Sequence, residues 1–104
     1  MTSGTGPGDG LTDRTWLRVP EEERGGGRVY RPEGHPLPPA RGREGLTFHS
    51  DGRFDYRDPG RGGTETGTWH AVPGGVRADV AGERFALRIT EVGDDVLRLE
   101  WPHP

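Results

Sequence analysis

From Gly45 to Trp101 the side chains alternate, apolar then polar, and every run of alternation stops at a glycine or proline turn. Leu46 and Phe48 face one way, Thr47 and His49 the other. Past Asp51-Gly52, Phe54 and Tyr56 alternate with Arg53, Asp55 and Arg57. Gly67, Trp69 and Ala71 share a face, as do Val76, Ala78 and Val80, then Phe85, Leu87 and Ile89, then Leu97, Leu99 and Trp101. A period of two belongs to a half-buried β-strand, and no segment longer than a turn or two carries the helical period. Strands are expected at about 15–19, 28–31, 45–50, 53–57, 64–72, 75–80, 83–90 and 95–101. Short strands at regular spacing, joined by Gly/Pro turns, imply an all-β domain. Eight of them can close into a small up-and-down antiparallel barrel whose side chains fill it and whose edges vanish.

Parity fixes the hairpin at the centre of this pattern. A two-residue Asp51-Gly52 turn would set Phe48 opposite Asp55 and put an acid on the core face. A three-residue loop, Ser50-Asp51-Gly52, instead sets Phe48 opposite Phe54 and Leu46 opposite Tyr56, with Gly52 left-handed. The three-residue loop is expected.

The first half of the chain is different. Residues 1–45 hold five of the 18 Leu, Ile, Val and Phe, and residues 46–101 hold thirteen. Residues 1–10 have nothing to bury and are expected to be a disordered tail, with one domain over 11–101. Asp13 can cap a brief turn leading into a strand that Pro20 ends. Glu21-Glu22-Glu23-Arg24 and the following glycines look like a solvated loop, with a helical turn over the glutamates possible. Residues 32–43 form a proline-rich arm, stiff because proline fixes its own φ and biases its predecessor to extended geometry. With glycine at 19 and proline at 10 of 104 residues, the core is small and the eight aromatics must do much of the packing. A large empty cavity is difficult to support.

Charge and composition exclude several classes. The formal net charge is −3, against a general nucleic-acid or anionic-membrane binder. Cysteine is absent, so neither disulfides nor thiolate-held metals can staple the fold. No run of about 18 apolar residues exists, and the N-terminus has no basic, apolar leader. A soluble cytoplasmic protein without a cofactor is expected. All the basic residues other than histidine are arginine, which fits GC-rich coding.

The pattern resembles the calycin group, in particular short bacterial lipocalin-like β-barrel domains. Trp16 at the first strand carries the likeness. So do the Leu46-to-Phe54 hairpin with Gly67-Thr68-Trp69 after it, and the closing run from Val76 through Arg88-Ile89-Thr90-Glu91 to Leu97-Arg98-Leu99. There are departures. Arg14 stands where lipocalins have glycine. Arg98, the candidate to cover Trp16, faces away from Leu97 and Leu99. The segment from Tyr30 to Arg43 is no lipocalin signature. The resemblance implies ligand binding in a barrel.

Candidate site residues follow from chemistry. Arg41 and Arg43, on either side of Gly42, can clamp a carboxylate or phosphate; the commoner use of such residues is to pair with Glu44, Glu33 or acids on a neighbouring strand and pin the arm to the barrel. Tyr56 and Trp69 would line the barrel mouth beside them. Glu65 has the parity of Trp69 and is either an inward functional acid or a strand-end residue at a wet mouth. His35, His49, His70 and His103 do not form a ligand set, although His49 and His70 share an outward face; no metal site is expected. Ser50 is explained by its turn, and the Gly-rich runs at 25–27 and 60–63 lack the lysine and helix of a phosphate loop. No catalytic constellation stands out. Two readings remain open: a binding module with a small, partly apolar or anionic ligand at the mouth, near Arg41, Arg43, Tyr56 and Trp69; or an accessory domain with a solid core that meets a protein partner through the arm or an outer face. Enzymatic activity is a third.

Overall fold

A computed structural model describes residues 10–25, 27–39, 42–60 and 63–101. The expected tail at 1–10 falls almost wholly outside them. Among the described residues eight strands form, β1 (Thr15–Arg18), β2 (Arg28–Pro32), β3 (Gly45–Phe48), β4 (Arg53–Asp58), β5 (Gly63–Val72), β6 (Gly75–Val80), β7 (Glu83–Val92) and β8 (Leu97–Glu100), with one 3-10 turn at Pro20–Glu22. They close into an antiparallel barrel in the order β1-β2-β8-β7-β6-β5-β4-β3. From β3 to β8 this is a plain up-and-down meander. Succession is broken at one place: β1 lies between β2 and β3, and β8 closes onto β2. Residues 33–44 join β2 to β3 across β1, with Glu33 bonded to Thr15 at its start and Glu44 to Arg18 at its end.

The central hairpin has the register that parity demands, with Leu46 opposite Tyr56 and Phe48 opposite Phe54. Gly52 is left-handed at φ 97°, and His49 N–H donates to the Arg53 carbonyl across 2.8 Å. Asp13 does not cap a helix. It adopts φ 63°, and its carboxylate accepts the Ser50 N–H at 3.0 Å, tying the N-terminal segment to the hairpin tip. Leu11 follows it into the core, where its carbonyl accepts Trp16 Nε1–H at 3.0 Å. Strand β7 runs two residues further than its alternation implies, and its register with β8 slips between Ile89 and Glu91.

One buried cluster fills the interior. Trp16, Tyr30, Leu46, Phe48, Phe54, Val76, Leu87, Leu97 and Leu99 are among its members, all under 3% exposed. An eight-stranded barrel is just wide enough for side chains to fill. The wall folds sharply at Gly67, where an added Cβ would lie 1.8 Å from the Asp79 carbonyl oxygen. That corner brings β4 within contact of β6. No helix among the described residues is long and apolar enough to cross a membrane.

Candidate functional site

The antiparallel pairing gives the barrel two ends. The hairpin tip at 49–52 marks one; the other gathers the start of β2, the start of β3 and the end of β8. At this second end the inward face turns polar. Arg28 has the parity of Tyr30 on β2, and Glu44 the parity of Leu46 on β3, so strand periodicity carries a cation and an anion to the rim of the core.

Glu44 is 7% exposed. A carboxylate so buried is stable only when paired and hydrogen-bonded. The Tyr30 hydroxyl donates to its Oε2 at 2.5 Å. Arg28 Nη1 donates to both carboxylate oxygens, at 3.0 and 3.2 Å. Arg18 Nη1 stands 3.6 Å away. Arg18 is itself gripped by Glu23 through two hydrogen bonds of 2.7 and 2.8 Å. Those bonds push the Arg18 pKa up, against the cost of burial. For Glu23 burial works upward, but the bonds from Arg18 and the Val29 N–H outweigh it and hold the carboxyl low. Two arginines and two glutamates thus form one alternating chain.

Trp101 closes the end. Its Nε1–H donates to the Tyr30 hydroxyl oxygen at 3.1 Å. The Arg28 guanidinium lies over its ring, 4.6 Å from the centroid. Tyr56 and Phe85 meet it edge-on, with centroids 6.1 and 5.4 Å away. All three rings are half-buried, whereas Trp16, Tyr30, Phe48 and Phe54 are sealed inside. A cleft of about 420 Å³ lies along Arg18, Pro20, Arg43, Glu44, Asp58 and Pro59, and none of the three rings lines it.

The residues expected to form one site do not all meet. Arg41 lies outside the described residues. Arg43 is a clamp: it donates to the carbonyls of Arg18 and Pro38, at 3.0 and 2.6 Å, and to both oxygens of Glu21. Its partner is neither Glu44 nor Glu33. Tyr56 stands at the rim, opposite the half-buried Glu65. Trp69 is four residues further along β5, about 13 Å at strand rise. There its ring packs edge-on against Phe48, and its Nε1–H donates to the His49 carbonyl at 2.8 Å. Tyr56 and Trp69 therefore serve opposite ends. His49 is bound to Asp55 at 2.7 Å, and His70 pairs across from Arg77, so the two histidines do not form a site.

The glutamate triplet is a largely exposed turn, as expected, with the Glu21 and Glu22 side chains 45% and 38% exposed, but its acids are paired. Glu21, Glu22 and Glu23 take Arg43, Arg31 and Arg18 respectively. The 3-10 turn fans their side chains out, and each pins a different stretch of chain. Among the described residues no three His, Asp or Glu side chains are grouped to hold a metal. Comparison with protein-family models, curated proteins and solved structures finds no match.

The buried pair predicts an alkaline limit to stability. Burial first, and then the Glu44 charge and hydrogen bond, push the Tyr30 pKa up from 10.0. Below pH 10 both folded and unfolded chains keep the proton. Above it the unfolded chain releases the proton while the folded one retains it, so stability falls by up to about 1.4 kcal/mol per pH unit. Urea unfolding across pH 9–12 is expected to show this slope, and Tyr30→Phe to reduce it by one proton's worth.

Proposed function

We propose that this chain is a non-catalytic, lipocalin-like binding domain that takes a small, partly apolar ligand at the rim of its barrel. The observation that carries this reading is the trio Tyr56, Phe85 and Trp101, only half-buried at one end of a barrel that seals most of its other aromatics. Partly exposed aromatic rings offer apolar contact at little conformational cost. Arg28 beside them supplies guanidinium donors to an anionic group on the ligand. An interior position has less support, because a ligand there would displace the packed side chains of the core. The likeness to lipocalins is one of architecture, since β1 sits between β2 and β3 here instead of following simple succession.

The test is a titration with 1-anilinonaphthalene-8-sulfonate, an apolar anion whose fluorescence rises on binding. A single saturable phase is expected, weakened about tenfold or more by Trp101→Ala, with far-UV circular dichroism unchanged. Equal binding by a folded Trp101→Ala variant would overturn the reading.

A further inference from the structure

The arm between β2 and β3 is longer than its route requires. It passes β1, a strand of four residues, which spans about 13 Å. Residues 33–44 can reach about 40 Å when extended. Both ends of this surplus are tied down. The Glu33 N–H donates to the Thr15 carbonyl at 2.8 Å, at the start of β1; the Arg18 N–H donates to the Glu44 carbonyl at 2.9 Å, at its end. Arg43 adds its bonds to Arg18 and Pro38.

Between these anchors stands Pro36-Leu37-Pro38-Pro39. All three prolines are exposed, and only Leu37 is half-buried. Four residues that contribute nothing to the sealed core are thus held out on a braced segment. Pro36 and Pro39 are three positions apart. In a polyproline helix, with three residues per turn, that spacing places both rings on one edge.

We propose that Pro36–Pro39 is a docking site for a protein partner that reads polyproline segments through an aromatic-lined groove. Prolines suit this use because φ is fixed before binding, so little conformational freedom is lost when the groove closes on them. Anchoring at both ends lowers that loss further. The Arg43 bond to the Pro38 carbonyl sets where the segment sits while leaving the proline rings outward. This surface is separate from the aromatic rim, and neither reading depends on the other.

Purified WW domains and proline-binding Src-homology domains are the probes, titrated against the full chain by calorimetry. Saturable binding by at least one of them is expected, falling about tenfold or more in a Pro36→Ala/Pro39→Ala double variant whose melting temperature is unchanged. The proposal is overturned if none of these domains binds saturably, or if the double variant binds as well as the parent. A lowered melting temperature with unaltered binding would assign the prolines to stiffening the crossover instead.

Discussion

Replacing Glu44 by alanine is expected to destabilise the barrel by about 3 kcal/mol, the lower part of the range for breaking a buried ion pair. The side chain is nearly sealed, and it satisfies Tyr30, Arg28 and Arg18 together. Its removal leaves the Tyr30 hydroxyl without its acceptor and two guanidiniums facing each other. Arg18 and Arg28 are 29% and 27% exposed, so water recovers part of the loss; this is why the lower figure is expected. Glu44→Gln keeps an acceptor and the shape but not the charge, and about half the effect is expected. A domain of this size has about 5–15 kcal/mol in all, so the alanine variant should show a clearly lower urea midpoint. It should also lose near-ultraviolet dichroism from Trp101, whose ring rests on Arg28. A midpoint equal to that of the parent would mean that the arginines simply turn out to solvent.

Gly67→Ala is expected to cost more, about 4 kcal/mol or above, in the range reserved for a substitution the fold cannot absorb. In most strands alanine would be a small gain over glycine. Here the new Cβ would sit 1.8 Å from the Asp79 oxygen, 2.8 Å from its carbonyl carbon and 2.9 Å from the Val80 Cα. All three are backbone, so no rotamer change relieves the overlap. The β6 strand must move, and the β5–β6 ladder goes with it. Gly63 is the internal control, with nothing within 4 Å of its added Cβ; Gly63→Ala should stay within about 0.5 kcal/mol. Thermal unfolding of the two variants in parallel checks the corner, and equal stabilities would show that the barrel wall is not closed tightly there.

The strands were legible because alternation is local. Phe48, Phe54, Leu46 and Tyr56 fix one another's faces, and parity alone chose the three-residue loop over the shorter turn. The place of β1 was not legible. Its neighbours are set by where a long connection returns, and nothing within Thr15–Arg18 encodes that. The ion-pair chain was hidden for another reason. Arg28 lies within the expected strand 28–31 at the parity of Tyr30, and Glu44 stands one residue before the expected strand 45–50, but alternation marks a core face by its apolar residues and assigns no partner to a charge at its end. Trp69 misled because it shares Tyr56's face; a face of a ten-residue strand spans both ends of the barrel.

A barrel that is filled and binds at its rim leaves a distinct pattern in methyl and aromatic NMR during the 1-anilinonaphthalene-8-sulfonate titration. The predicted result is saturable shifts at Tyr56, Phe85 and Trp101, with the methyls of Leu46, Val76 and Leu97 unmoved. Shifts concentrated in those core methyls, with the rim rings unchanged, would contradict it.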